Sequence, residues 1–219
     1  MSGLLSGPLA RTRLAQISRR LHQAGWVANH DGNASLRLGR DRFLITPTAT
    51  SKLEVSEADL VVIDGAGGVV EGLRKPPGET ELHLAVYRAR PEMNAVLHDP
   101  PFATAFGVAR QELAPLALPE AVVSLGLVPL LPFALPKTPQ AVEAVARGAG
   151  EAVAMLLPGN GVLTLAPDLP LAYLRLELVE HVAKILHAAR GLGGAQPLDS
   201  TTMEALLAQH RKTFPRGGR

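Results

Sequence analysis

The 219-residue sequence contains no cysteine, which excludes disulfide bonds, cysteine-ligated zinc, iron–sulfur clusters and thiol catalysis. Aromatic residues make up only 4%, so the core must be built from Leu, Val, Ala and Ile. The formal net charge is only +2, and this scattered basic excess is too small to indicate a nucleic-acid partner. Because no stretch approaches the roughly 20 consecutive apolar residues that span a bilayer, we expect a soluble, cytoplasmic protein without a membrane partner.

Hydrophobic residues make up 47% and charged residues 19%, as in a globular protein with a sizeable core. The first 30 residues contain no acid and several Arg, which is also the composition of organelle transit peptides. However, Leu14, Ile17 and Leu21 recur at helical spacing between Pro8 and Gly25. We therefore interpret this segment as a surface helix that starts the fold.

Turn residues and apolar patterns predict alternating strands and helices along the rest of the chain. The predicted strands are 35–38, 43–46, 60–63, 69–70, 95–97, 153–157 and 162–165. The predicted longer helices are 79–90, 140–152 and 170–190. The proline-rich middle third indicates short strands and turns between helices. The spacing of Thr201 and Glu204 predicts a capping box for a last helix within 199–219. With no repeat and no long linker, residues 1–219 are predicted to form one α/β domain with a mixed or antiparallel sheet.

Several short polar or proline-containing segments stand in a fixed order along the chain. The first four are Gly32–Arg37, Leu44–Thr48, Pro76–Glu79 and Ala95–His98. The order continues with Pro119-Glu120, Val128-Pro129 and Gly159–Val162. In this combination they resemble the class II aldolase/adducin superfamily, and the resemblance covers residues 8–190.

That resemblance implies a three-layer α/β/α domain with a central mixed, largely antiparallel sheet. It further implies a homotetramer with active sites at subunit interfaces, and an apolar, proline-rich segment at 113–135 also favours self-association. Enzymes of this family cleave or epimerise sugar phosphates, or dehydrate a related compound, through a metal-stabilised enediolate. Such chemistry needs a divalent ion held by histidines, a carboxylate that moves a proton, and polar turns that hold a phosphate.

The resemblance also assigns candidate site residues. Glu79 matches the acid/base glutamate of the family, and Glu120 matches a position that supplies an acidic group in some members. The candidates for binding the substrate or its phosphate are Asn33, Ser35 and Thr48. Where many members have Pro-Ser-Ser before the glutamate, this chain has Pro76-Pro77-Gly78, which removes two hydroxyls and one backbone N–H.

The metal ligands of the family are also altered. Its short strand ends in His-x-His, whereas this chain continues from His98 into Asp99, Pro100 and Pro101. A gapless reading puts Pro100 in place of the second histidine; a reading with one residue missing, which we prefer, puts Asp99 there. The third ligand position is taken by Asn160. The candidate ligands His98, Asp99 and Asn160 form an oxygen-rich set that zinc favours less than three imidazoles.

Two functions follow from these matches. The first is a divergent lyase that acts on a small hydroxy-carbonyl or sugar-phosphate compound, with a divalent metal, zinc before others. The alternative is a catalytically inactive, adducin-like oligomeric protein that keeps the fold without the metal. The lost histidines favour the alternative, whereas Glu79, His98 and the Asn33 turn favour the lyase, which we prefer. We interpret His83 as a partly buried helix residue, and Glu180 with Lys184 as an ordinary pair on a helix surface.

Overall fold

The computed structural model describes residues 4–113 and 117–215, and within them seven strands form one sheet. The strands are β1 (Asn33–Gly39), β2 (Arg42–Ile45), β3 (Val61–Ile63), β4 (Val69–Glu71), β5 (Ala95–Asp99), β6 (Ala154–Leu157) and β7 (Gly161–Ala166). Their order across the sheet is β4-β3-β2-β1-β5-β7-β6, and each pairing between these strands is antiparallel. This confirms the predicted largely antiparallel sheet.

Helices cover both faces of the sheet and complete the three layers that the resemblance implies. They are α1 (Gly7–Gln23), α2 (Thr80–Ala89), α3 (Thr104–Val108), α4 (Pro119–Leu125), α5 (Pro139–Glu151), α6 (Leu169–Arg190) and α7 (Ser200–Thr213). On one face, β-strand residues such as Leu36 and Leu97 pack with α1 and α6 in one apolar cluster. On the other, Val96 and Leu163 pack with α2 and α5. None of the described helices is both long and apolar enough to cross a membrane.

Three local features differ from the sequence-based expectation. The middle third contains the short helices α3 and α4, and α4 begins at Pro119, which fits the first turn of a helix because its missing N–H costs nothing there. The cap of α7 is Asp199, whose carboxylate accepts the Thr202 N–H, so the predicted capping box of Thr201 and Glu204 does not start this helix. Strand β5 is two residues longer than predicted. This last difference determines where the side chains of residues 98 and 99 point.

Candidate functional site

A polar cleft of about 380 Å³ opens where β1 begins and β5 ends. Five of the predicted site residues line it, from five separate segments of the chain: Asn33, Thr48, Glu79, His98 and Asn160. The antiparallel register places Asn33 directly opposite His98. The folded chain therefore brings together residues that are scattered along the sequence, on one side of the central strands.

The turn at 159–161 closes this cleft against the end of β5. Gly161 has a φ of 110°, and a Cβ added there would lie 2.7 Å from the carbonyl oxygen of Asp99. Only glycine permits both this conformation and this close approach. The approach brings the carbonyl oxygen of Asn160 within 2.8 Å of His98 Nε2.

This contact sets the protonation pattern of His98. Because a carbonyl oxygen can only accept, His98 Nε2 carries the hydrogen and donates it to Asn160. Nδ1 is then the lone-pair nitrogen of the neutral ring, and it is buried without a hydrogen-bond partner among the described residues. Burial lowers the pKa of His98, and the Glu79 carboxylate opposes this shift more weakly. We therefore expect a neutral imidazole at pH 7.

Asp99 lies on the opposite face of the sheet from His98, since successive residues of a strand alternate between faces. Its side chain is fully buried outside the cleft, and one carboxylate oxygen lies 2.2 Å from the position of a Cβ built on Gly32. Neither oxygen has a hydrogen-bond partner among the described residues. Burial raises the pKa of Asp99 to about 8, against the opposing effect of the nearby Lys52 ammonium.

Lys52 is a charged residue behind the cleft that sequence reasoning missed. It is only 1% exposed, and its ammonium donates to the carbonyl oxygens of His30 and Thr50, each at 3.3 Å. Burial lowers the pKa of Lys52, whereas the charges of Asp99, Asp31 and Glu79 raise it. Nothing in the local sequence distinguishes this lysine from an exposed one, because its burial comes from tertiary packing.

The donors predicted for a metal ion do not form one ligand set. Asp99 faces away from the cleft, and Pro100 lines it instead, as in the gapless reading of the sequence. The Nε2 of His98 is occupied by the Asn160 carbonyl. Within residues 4–113 and 117–215, no group of three or more His, Asp or Glu side chains is arranged to hold a metal ion. The residues present therefore do not fit the three-ligand zinc site that the resemblance implies.

A chain of buried hydrogen bonds holds Asn33 from behind. His83 Nε2 lies 2.5 Å from Asn33 Oδ1, His83 Nδ1 lies 2.7 Å from the Ser35 hydroxyl, and Tyr87 Oη lies 2.8 Å from the same hydroxyl. Burial, with a smaller contribution from His98, lowers the pKa of His83 to about 3, so the ring is neutral and has one N–H. With Asn33 Oδ1 accepting that hydrogen, Ser35 donates to Nδ1 and Tyr87 donates to Ser35. The Asn33 amide nitrogen is then left to donate into the cleft.

These buried hydrogen bonds correct two predictions from the sequence, those for Ser35 and His83. Ser35 does not line the cleft; it is 1% exposed, and its hydroxyl is engaged by His83 and Tyr87. His83 is not partly but almost completely buried, at 1% exposure. The sequence indicated a partly buried helix position for His83 but could not show that the facing strand carries Asn33 and Ser35.

Glu79 is half-buried at the start of α2, where its own carbonyl accepts the Leu82 N–H. Its carboxylate acts on the pKa values of both His98 and Lys52, which places its charge at the cleft. Thr48 lies on the facing loop, and the next residue, Ala49, has a φ of 53°, in the left-handed region that glycine adopts most readily.

The other acidic residues lie outside this cleft. Glu120 is exposed in the first turn of α4, where its carboxylate accepts the Ser124 hydroxyl at 2.9 Å. Glu180 pairs with Lys184 as predicted, at 2.9 Å, but it is buried rather than on the surface. Its second oxygen accepts the Ala103 N–H, so it anchors the segment that follows β5.

Comparisons with known proteins agree with this architecture. Residues 12–187 match the family described as Class II Aldolase and Adducin N-terminal domain. An L-fuculose phosphate aldolase from Methanococcus vannielii is 33% identical over 174 residues, covering 78% of this chain and 92% of that protein. A 3-oxo-tetronate 4-phosphate decarboxylase from Haemophilus influenzae is 30% identical over 184 residues, covering 81% of this chain and 87% of that protein.

A solved structure of an L-fuculose 1-phosphate aldolase has a TM-score of 0.84 with this chain at 27% sequence identity. The match covers 96% of this chain and all of the other, 100%. The family match extends over well more than half of the sequence, and it includes every segment that lines the cleft. This chain therefore belongs to the class II aldolase and adducin family.

Proposed function

We propose that the protein is a lyase that breaks a carbon–carbon bond next to the carbonyl group of a small hydroxy-carbonyl phosphate. The observation that carries this proposal is the placement of Glu79 in one cleft with Asn33, Thr48 and His98. The relatives above are named as an aldolase and a decarboxylase of phosphorylated compounds. These names favour an enzyme over the inactive, adducin-like alternative.

Aldol cleavage and decarboxylation of a 3-oxo acid have one step in common. In each, the electrons of the broken bond move onto the remaining fragment as an enolate, which must gain a proton at carbon before release. Glu79 is the group proposed to exchange this proton. Glu79 lies at the N-terminal end of α2, half-buried at the cleft. In aldol cleavage, Glu79 would take the proton of the hydroxyl group whose carbon becomes the aldehyde and then give it to the enolate carbon. In decarboxylation, CO2 leaves and the enolate carbon would gain through Glu79 a proton that comes from solvent water.

Binding of the substrate is proposed to use the donors that face Glu79. The Asn33 amide is oriented by His83, so its N–H groups are fixed before substrate binds. Thr48 adds a hydroxyl on the opposite loop. Donors that are oriented in advance stabilise developing negative charge without reorganisation.

The family generally uses a divalent metal, typically zinc. Because His98, Asp99 and Asn160 do not form a zinc site, Glu79 is proposed to transfer the proton, and Asn33 and Thr48 to bind the substrate. Metal dependence is tested separately, by assay after dialysis against a chelator and after addition of zinc, manganese or cobalt.

Self-association as a homotetramer is also proposed. In the predicted segment 113–135, of which residues 114–116 lie outside the described part, two large apolar side chains are half exposed: Leu127 at 54% and Phe133 at 52%. Leu135 is exposed at 64%. Association would remove this apolar surface from water. In such an assembly the exposed Glu120 is proposed to serve the cleft of a neighbouring subunit, because it does not reach its own.

The proposed function is tested by Glu79→Gln, which keeps the size and hydrogen bonding of the side chain but cannot carry a proton. The first substrates are L-fuculose 1-phosphate and 3-oxo-tetronate 4-phosphate, after the names of the relatives. We expect kcat to fall by roughly 10²–10⁴-fold with an unchanged melting temperature.

The matched control is Glu81→Gln, two residues along on α2, where the carboxylate pairs with Arg88 on the surface. We expect this variant to retain the wild-type kcat. Full activity in Glu79→Gln would contradict the acid/base role. No turnover of any hydroxy-carbonyl compound by the wild type, with or without metal, would favour the adducin-like alternative.

A further inference from the structure

The side chain of Lys137 occupies the space that a side chain at position 78 would fill. A Cβ built on Gly78 would lie 2.0 Å from Lys137 Cε and 2.5 Å from Nζ. Both residues line the cleft, although they come from different parts of the chain. Any residue other than glycine at position 78 would therefore displace the end of Lys137.

The backbone of Lys137 adopts an unusual conformation to reach this place. Its φ of 67° lies in the left-handed region, which is unfavourable for a residue with a side chain. Lys137 ends the loop before α5, and the next residue, Thr138, caps that helix by accepting the Ala141 N–H. Backbone strain of this kind persists where the surrounding structure holds it, and it clusters at ligand-binding sites.

The ammonium group of Lys137 forms no hydrogen bond or ion pair with any residue in the described part of the chain. It therefore brings a positive charge without an ion-pair partner to a cleft that holds the donors Asn33 and Thr48 and, elsewhere on its lining, the carboxylates of Asp31 and Glu79. The same cleft has lost binding groups at its rim, because Pro77 has no N–H and Gly78 has no hydroxyl. The Lys137 ammonium lies beside position 78, where the hydroxyl is missing.

We propose that Lys137 is the anion-binding residue of this cleft and takes the place of a hydroxyl side chain at position 78. The ligand chemistry is a phosphate monoester, whose doubly charged oxygens would accept from the Lys137 ammonium, the Asn33 amide and the Thr48 hydroxyl. Gly78 has a specific role in this arrangement, because its lack of a side chain leaves space for the end of Lys137. The inference rests on the proposed function insofar as it assigns the substrate's phosphate to this cleft.

The test measures the binding of inorganic phosphate by calorimetry, without substrate or turnover. In Lys137→Met, which keeps the length of the side chain but not its charge, we expect the dissociation constant for phosphate to rise roughly 10–100-fold. Lys137→Arg should retain most of the affinity. The matched control is Lys212→Met, an exposed lysine on α7 outside the cleft, which should bind phosphate as the wild type does.

A second variant tests the role of the glycine. In Gly78→Ala the new Cβ displaces only the flexible end of Lys137, so we expect an intact fold, checked by the melting temperature, and weakened phosphate binding. Because both changes remove the same contact, Gly78→Ala combined with Lys137→Met should bind phosphate no more weakly than Lys137→Met alone.

An unchanged dissociation constant in Lys137→Met would overturn the inference, and so would independent, additive effects of the two variants. These outcomes differ from failure of the proposed function. Lysine-dependent phosphate binding without lyase activity would leave Lys137 as an anion-binding residue and remove the lyase. Lyase activity with phosphate binding that does not depend on Lys137 would leave the proposed function standing and reject Lys137 as the anion-binding residue.

Discussion

His83 makes the stability of the protein sensitive to mild acid. In the folded chain, burial lowers the pKa of His83 from 6.5 to about 3, whereas in the unfolded chain it returns to about 6.5. The stabilisation from the neutral ring is fully present above pH 6.5 and is lost as the pH falls towards 3. Between these values the unfolded state binds one more proton than the folded state, so the free energy of unfolding falls by up to about 1.4 kcal/mol per pH unit.

Integrated from pH 7 to pH 5, this difference in proton binding amounts to about 2 kcal/mol for His83 alone. His98 contributes in the same direction, because burial also lowers its pKa. A variant is needed to separate the two. His83→Gln does not titrate, and its amide can still bond to Asn33 and Ser35.

The assay is urea unfolding at pH 7 and pH 5, with protein concentration held fixed because association would shift the apparent stability. We expect the loss of unfolding free energy between the two pH values to be about 2 kcal/mol smaller in His83→Gln than in the wild type. His181→Gln, an exposed histidine on α6, should lose as much as the wild type. Equal losses in His83→Gln and wild type would refute the assignment of a neutral, buried ring.

Two further predictions concern assembly and metal. Light scattering at micromolar concentration should give the mass of a tetramer, because exposed apolar side chains such as Phe133 become covered; a monomer would contradict the proposed assembly. After dialysis against a chelator, elemental analysis should find no stoichiometric zinc, since Asp99 faces away from His98. Zinc that is retained by the wild type and lost in His98→Ala would show that His98 does hold a metal ion.

Periodicity and turn residues were enough to predict the long helices and most of the strands, because strands buried on both faces appear as continuous apolar runs. They were not enough for β5. The sequence showed that His98 and Asp99 follow an apolar strand, but not that the strand continues through both. Once it does, alternation sends the two side chains to opposite faces, and the pairing of His98 with Asp99 as ligands no longer follows.

Cleft residues that lie in family motifs could be predicted from the sequence. Residues that reach the cleft only through tertiary contacts could not. Asn33, Glu79 and His98 lie in motifs and were identified from them. Lys52 and Lys137 lie in no motif: Lys52 is buried with its ammonium on the carbonyl oxygens of His30 and Thr50, and the end of Lys137 lies against Gly78. Such relations join distant segments, so no local pattern in the sequence contains them.

In the turn at 159–161, the backbone conformation does not depend on which residue occupies the central position, 160. The left-handed conformations fall on Gly159 and Gly161, while Asn160 keeps a negative φ that any residue adopts. Exchange of Asn160 for histidine would therefore leave the turn and its approach to β5 intact. The side chain at position 160 can thus change while the two glycines keep the backbone, and with it the carbonyl contact to His98, in place.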